Sequence, residues 1–244
     1  MNTRTLIAGD TSSPVILHVP HASRVIPPEI RSSLTVTDDQ LAAELDEITD
    51  AHTDEIAQHA AQSVTPRPWT LRNDLSRLVI DPERFPDERE ELNAVGRGAV
   101  YTQTCNGEVL RNVDNASRDA LLDNYFHPYA AAMSDLVTDR IAATGRAVII
   151  DVHSYPTLPS AYELHPDGLR PALCIGTDPN HTPPWLVEAA YAAFSSLEDI
   201  GMDTPFSGTY VPLDRYNTDP HVCSVMIELR RDPSLTESSA LVHA

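Results

Sequence analysis

The stretch Val148-Ile149-Ile150-Asp151-Val152-His153-Ser154-Tyr155-Pro156 carries the clearest signal for a fold, because it joins an apolar run to a set of polar side chains. The apolar run is typical of a buried strand, and Pro156 predicts its end. Ligands of an open α/β sheet bind beyond the carboxyl ends of its strands. His153 therefore stands where a catalytic or ligand-binding histidine is expected. The alternative is a histidine that only hydrogen-bonds at the end of a strand.

Four other apolar runs have the composition of buried strands, and they alternate with helical patterns. The strand candidates cover residues 15–19, 78–80, 172–177 and 223–231. The helical patterns run from Thr37 or Asp38 to Ile48, from Ser117 or Asp119 to Ile141 with a kink at Pro128, and from 185 to near 201. This alternation predicts an α/β fold whose largely parallel sheet is covered by helices on both faces. No low-complexity linker divides the chain, so we expect a single domain over residues 1–244.

The composition restricts the partners that the chain can bind. Lys and Arg number 17 against 36 Asp and Glu, and the resulting net charge of -19 repels nucleic acid and anionic membranes. No run approaches the roughly 18 apolar residues that span a membrane. The three cysteines lack a CxxC motif and the first residues lack a signal-peptide pattern, so we expect a cytoplasmic protein. An anionic small-molecule substrate would need arginines clustered at its site, and the sequence leaves the oligomeric state open.

Two histidines accompany the first apolar run. His18 lies within the run and His21 follows Pro20, which stops the strand. Residues three apart on a strand point to opposite faces, so we do not expect the two histidines to bind one ion together. His21, beyond the proline, is able to point into a cleft. The alternative is a histidine on a surface loop.

An acidic segment from Glu44 to Glu55 follows the first helical pattern and allows two interpretations. On one continuous helix, Asp46, Asp50 and Asp54 form a solvated row turned away from the leucines, and the pattern alone favours this arrangement. The alternative is a break near Thr49-Asp50, with Asp50 capping a second helix. In that arrangement Asp50 lies at a junction and is able to face a metal.

Glu228 interrupts the apolar run of the last predicted strand. Glutamate is almost never fully buried unless it is paired. Burial beside a cleft raises the pKa of a carboxyl group toward neutrality, which suits a general base. The alternative is a salt bridge with Arg230 or Arg231. Before this strand, residues 205–210 and Tyr216 are expected to form an active-site loop.

Taken in order, these motifs resemble the N-formylglutamate amidohydrolase family, which is related to zinc carboxypeptidases and aspartoacylase. The segment 151–155 resembles the DxHSY motif of the carboxypeptidases, and 226–230 resembles their FELR strand. The match to the amidohydrolase family rests on four features: Val19-Pro20-His21-Ala22, Thr49-Asp50 to Asp54, Ser76-Arg77-Leu78-Val79-Ile80-Asp81 through Arg84, and the Asp-x-His-Ser strand. The segments 101–107, 127–129, 175–177, 206–208 and 227–228 match as well. The resemblance extends over roughly residues 15 to 231.

The resemblance implies a fold, a reaction and a site. The fold is a three-layer α/β sandwich of the zinc-exopeptidase type, with a mixed, largely parallel sheet. The reaction is hydrolysis, by metal-activated water, of the amide of a small N-acyl amino acid such as N-formylglutamate. The implied residues are the zinc ligands His21, Asp50 (with Asp46 as the alternative) and His153, the general base Glu228, and the substrate-binding residues Arg77, Arg84, Tyr210 and Tyr216. Two alternatives are a hydrolase of another N-acyl amino acid or short peptide, and a metal-free binding protein with the same fold.

One position departs from the family pattern. The family usually has Asp-x-Asn-Arg where this chain has Asp81-Pro82-Glu83-Arg84. If Glu83 lines the pocket, its charge would repel a substrate with two carboxylates. Neighbours on an extended segment point to opposite faces, so Glu83 would otherwise point away and leave the arginine unaffected.

Overall fold

The structure is a computed structural model that describes residues 3–161, 163 and 166–231. Its strands are β1 Arg4–Ile7, β2 Val15–Val19, β3 Trp69–Asn73, β4 Ala147–Pro156, β5 Leu173–Gly176, β6 Ile200–Met202 and β7 Val222–Arg231. They form one sheet in the order β1-β3-β2-β4-β7-β5-β6. β1 pairs antiparallel with β3, and β5 with β7, while the other neighbours are parallel. The sheet is therefore mixed and largely parallel, as predicted.

Helices cover both faces of this sheet. They are α1 Pro28–Arg31, α2 Asp38–Ile48, α3 Thr53–Ser63, α4 Asn115–Leu121, α5 His127–Thr144 and α6 Pro184–Ala193. Leu17 and Val19 of β2 pack against α3, whereas Ile16 packs against α5. Successive residues of a strand point to opposite faces, so α3 and α5 lie on opposite sides, and α6 lies on the side of α3. The result is three layers with a central sheet. Within the described ranges, no helix has both the length and the apolar character that crossing a membrane requires.

The predicted strand at Leu78-Val79-Ile80 is wrong. These residues are buried but form a turn, in which the Val79 amide donates to the Ser76 carbonyl at 2.8 Å and the Leu78 amide to the Ser76 hydroxyl at 3.2 Å. The strand of this region lies earlier, at Trp69–Asn73. A short apolar run shows that a segment is buried, and its pattern alone does not distinguish a strand from another buried conformation.

The long helical pattern after residue 114 forms two helices joined by a π-helical turn at Leu122–Phe126. α4 begins one turn earlier than predicted, because the Asp114 side chain accepts a hydrogen bond from the Ser117 amide and caps the helix. Pro128 lies in the first turn of α5, so the irregularity comes just before the proline. Gly145 ends α5 with a φ of 82°, as the sequence predicts. α6 ends at Ala193 rather than near Gly201, which instead lies in β6.

Candidate active site

The central strands bring together the residues that the sequence singled out. β4 and β7 run parallel, and His153 of β4 stands opposite Glu228 of β7. His21 follows β2, the other neighbour of β4. A cleft of about 220 Å³ opens at this edge of the sheet, and its lining includes His21, Asp50, Arg77, Arg84, His153 and Glu228. The cleft therefore lies beyond the carboxyl ends of three parallel strands, where ligands of such sheets bind.

Asp50 reaches the cleft because the acidic segment breaks into two helices. α2 ends at Ile48, Thr49 is extended, and α3 begins at Thr53 after His52 in a left-handed conformation with a φ of 68°. The favoured single helix is therefore wrong, and the break near Asp50 is confirmed. The residue that caps α3 is His52 rather than Asp50. The main chain of the junction is fixed to the strand end, because the Asp50 amide donates to the His21 carbonyl at 3.1 Å.

Asp46, the alternative ligand, lies outside the site. Its side chain is 73% exposed and pairs with Arg24 at 2.7 Å on the surface.

The Asp50 carboxylate lies between the two histidines. Its Oδ2 atom is 2.8 Å from His153 Nδ1 and 3.6 Å from His21 Nδ1. Burial by itself would raise the pKa of Asp50, but the hydrogen bond with His153 and the nearby ring of His21 lower it below its usual value. Asp50 is therefore a carboxylate, and all three side chains are buried. Their ligand atoms lie within 4.8 Å of one another, so the group is able to hold a metal ion.

His21 has one ring nitrogen engaged and the other available. Nε2 lies 2.9 Å from Asp81 Oδ1, while the buried Nδ1 has no hydrogen-bond partner among the described residues. A carboxylate that accepts from one ring nitrogen leaves the lone pair of the other nitrogen for a metal. This orphaned atom faces Asp50 and is a direct structural sign that the histidine fits a metal site.

Asp81 organises this side of the cleft, a role that we did not predict from the sequence. Its Oδ2 atom accepts hydrogen bonds from Arg77 Nη2 and from the Tyr101 hydroxyl, each at 2.7 Å. Burial by itself would raise the pKa of Asp81, but Arg77 and His21 hold it well below its usual value. Asp81 thus remains charged and fixes the orientation of His21. Its place as the aspartate of the Asp-x-Asn-Arg motif was the available signal.

Asp151 and Glu83 surround the second histidine. Asp151 Oδ1 is 2.8 Å from His18 Nδ1 and 3.1 Å from His153 Nε2. Glu83 Oε1 is 3.2 Å from His153 Nε2 and 3.4 Å from His18 Nδ1. Glu83 therefore points into the cleft and not away from it. Within the described part of the chain, His18, Glu83 and Asp151 form a second group with metal-ligand geometry, and His21, Asp81 and Glu83 a third.

Glu228 is buried, and it does not form the salt bridge with Arg230 or Arg231 that was the alternative to a role as general base. Within the described ranges its carboxylate pairs with no arginine, and its Oε2 atom is buried without a hydrogen-bond partner. Arg231 instead donates to the backbone carbonyls of Thr49 and Ser154, at 2.6 and 3.0 Å. Burial raises the pKa of Glu228 to about 8.

The four predicted substrate-binding residues divide between two cavities. Arg77 and Arg84 line the cleft, and Arg77 donates through Nε and Nη2 to Asp81. Tyr210 and Tyr216 do not line the cleft. They line a neighbouring cavity of about 300 Å³, which Arg84 also borders. The arginines thus lie beside the candidate metal ligands, and the tyrosines lie in the neighbouring cavity.

Comparisons with known proteins agree with this architecture. A crystal structure of N-formylglutamate amidohydrolase from Ralstonia eutropha JMP134 is similar over 95% of this chain and 87% of that protein, with a TM-score of 0.76 and 19% identity. The crystal structure of a gene product from Agrobacterium tumefaciens is similar over 99% and 89%, with a TM-score of 0.70 and 20% identity. At these identities the two likenesses concern the fold alone. No curated protein matches the chain.

The sequence itself matches a family model over most of its length. That model describes N-formylglutamate amidohydrolase, and it matches residues 13–233, which include every candidate site residue named above. The chain therefore belongs to the N-formylglutamate amidohydrolase family.

Proposed function

We propose that this chain is a single-domain, zinc-dependent amidohydrolase of the zinc-exopeptidase type, which cleaves the amide of a small N-acyl amino acid. Family membership supports an amidohydrolase. The buried group of two histidines and a carboxylate supports a metal, because catalytic zinc commonly takes three such protein ligands. The three free cysteines are in keeping with a reducing cytoplasm as the place of action.

His21, Asp50 and His153 would hold the ion. Zinc bound there would supply a Lewis acid that polarises the amide carbonyl and lowers the pKa of water. The side chains that surround the ligands keep them oriented. Asp81 accepts from His21, and Asp151 lies 3.1 Å from the far nitrogen of His153.

The observation that carries the proposal is the state of Glu228. Glu228 is buried, unpaired and opposite His153. Burying a carboxyl group without a partner lowers the free energy of unfolding, so a functional role is expected for it. Its pKa, raised to about 8, lies near neutral pH, so the group exchanges a proton in the range where a general acid and base works. Glu228 would take a proton from the attacking water and return it to the nitrogen of the leaving amine.

The substrate is an N-acyl amino acid with a single negative charge. Arg84 borders the cleft and is the side chain that we assign to the substrate carboxylate, with Arg77 beside it. Glu83 lines the same cleft and adds a negative charge to it. A second carboxylate on the substrate would therefore meet a glutamate, which supports a preference for singly charged compounds over N-formylglutamate.

The test is a substrate panel measured together with the metal content of the purified protein. N-acyl amino acids that differ in charge and acyl group, and short peptides, would be compared under identical conditions. We expect bound zinc and turnover of N-acyl amino acids. Cleavage of peptides alone would support the related peptidase activity, and absence of both metal and turnover would support a binding protein that keeps only the fold.

A further inference from the structure

A second cavity, of about 300 Å³, adjoins the cleft of the proposed active site. Both cavities are bordered by Glu83, Arg84, Glu91, Ser207 and Met226, so they meet along a shared wall. None of the proposed metal ligands lines the second cavity. The proposed reaction on a formyl or other small acyl group leaves this space unexplained.

Four aromatic side chains line the far wall of the second cavity, which is the part that it does not share with the cleft. Its lining includes Phe85, Phe126, Tyr210 and Tyr216. Phe85 and Tyr216 meet edge to face, with ring centroids 5.6 Å apart. Such rings present edges and faces to which another aromatic ring packs favourably.

The charged residues of the far wall already have partners. Asp178 accepts hydrogen bonds from the amides of Asn180 and His181, at 2.8 and 3.0 Å. The Arg89 guanidinium binds both carboxylate oxygens of Asp87, at 2.8 and 2.7 Å. Glu90 likewise accepts from two backbone amides. These charged groups of the wall are therefore already engaged, and the aromatic rings lie beside them in the lining of the cavity.

Arg84 stands on the boundary between the two cavities. Its buried Nε atom makes no hydrogen bond within the described part of the chain, although Asp81 lies 3.6 Å away. A carboxylate would satisfy this donor. In an amino acid the side chain and the carboxylate share one carbon atom, whereas the acyl group lies beyond the nitrogen. When Arg84 holds the carboxylate, the side chain is therefore the part of the substrate closest to the second cavity.

We propose that the second cavity is the side-chain pocket of this enzyme and that it takes an aromatic amino acid, so that the preferred substrates are N-acyl derivatives of phenylalanine-like amino acids. The assignment rests on the proposed function, because it uses the same cleft for the scissile amide. It also agrees with the single negative charge inferred from Glu83.

The first test compares kcat/KM for N-formylphenylalanine, N-formylalanine and N-formylglutamate. We expect the phenylalanine compound to exceed the alanine compound by about tenfold or more, the usual scale for filling an apolar pocket, and the glutamate compound to be the poorest. Turnover of N-formylalanine with no gain for phenylalanine, or a preference for glutamate, would overturn the pocket assignment. It would leave the amidohydrolase proposal intact.

Three variants test whether the second cavity is the origin of the preference for the phenylalanine compound. Ala130→Phe places a ring inside the second cavity and Tyr216→Ala removes one from its wall, so both should lower the ratio of the phenylalanine to the alanine rate. Tyr191→Ala is the matched control, because Tyr191 lies on α6 and lines neither cavity. An unchanged ratio in both cavity variants contradicts the proposal.

A binding measurement separates the pocket from the chemistry. The Glu228→Gln variant would be titrated with the same three compounds in a calorimeter, with zinc present. Tighter binding of N-formylphenylalanine than of the other two supports the pocket even if turnover is absent. Equal binding of all three contradicts the pocket assignment, and absence of turnover in the wild type contradicts only the proposed function.

Discussion

Glu228 and Asp50 are two buried carboxyl groups whose surroundings move their pKa values in opposite directions. Asp50 lies against two histidine nitrogens, which lower its pKa, while Glu228 is desolvated without a partner and its pKa rises to about 8. A group that stays charged suits a metal ligand, and a group that exchanges a proton near neutrality suits a general base. The difference in surroundings therefore assigns the two proposed roles.

The Glu228→Gln substitution tests the role of the base. The amide has nearly the same shape but does not accept the proton, so kcat should fall by about a hundred- to ten-thousand-fold. Metal content and the circular dichroism spectrum should remain those of the wild type. A kcat near the wild-type value would remove Glu228 from the reaction.

Glu83→Asn tests the charge selectivity of the cleft. Removing the carboxylate that faces the cleft should raise kcat/KM for N-formylglutamate relative to a singly charged N-formyl amino acid. Glu88→Gln is the control, because Glu88 is exposed on the same loop and lines neither cavity. A wild type that already prefers N-formylglutamate would show that Glu83 does not repel the dianion.

At the scale of elements, the junction between α2 and α3 determines which acidic side chain enters the site. The helix ends at Ile48, and the Asp50 amide is held by the His21 carbonyl, so the carboxylate turns toward the two histidines. One turn earlier, Asp46 remains on the solvated surface of α2 with Arg24.

Metal analysis of Asp50→Ala and Asp46→Ala tests this assignment. Asp50→Ala should lose most of its bound zinc because it removes one of the three proposed ligands, whereas Asp46→Ala should keep the wild-type amount. Each protein would be dialysed against the same buffered zinc concentration before measurement. The opposite result would move the carboxylate ligand to α2.

The junction and the turn at 78–80 also show where pattern reasoning fails. The spacing of Leu41, Leu45 and Ile48 predicts α2 correctly, together with its Thr37 cap. No glycine or proline marks the break at Asp50. The break is fixed instead by the hydrogen bond from the Asp50 amide to the carbonyl of His21, about thirty positions earlier in the chain. The apolar run at 78–80 is buried against helices and loops rather than in the sheet, and local pattern does not encode that difference. Long-range contacts decided both cases.

At the scale of the whole molecule, the alternation of strands and helices was sufficient to predict a sheet covered on both faces, and the family resemblance grouped His21, His153 and Glu228 at one site. The contacts that the prediction missed are those between side chains distant in sequence, such as Asp81 with His21 and Glu83 with His153. These depend on the path of the loop after residue 74, which carries no periodic pattern. The cleft itself contains carboxylates in a chain of net charge -19, so folding places like charges close together.

This crowding predicts a pH-dependent stability of the metal-free protein. The pKa of Glu228 rises from 4.5 to about 8 on folding, so between these pH values the native state keeps a proton that the unfolded chain has lost. The free energy of unfolding of the wild type should then fall relative to Glu228→Gln by about 2–4 kcal/mol from pH 5 to pH 8. Urea unfolding of both proteins with a chelator present checks this, and parallel pH profiles would show that the carboxyl group is not perturbed.

A zinc titration of the chelated protein, with hydrolysis of an N-acyl amino acid as the readout, tests the proposed zinc-dependent amidohydrolase most directly. We expect no turnover without metal and a rise that ends at about one zinc per chain, because one set of three ligands completes the proposed catalytic site. Full turnover in the metal-free protein, or none at any zinc concentration, would contradict it.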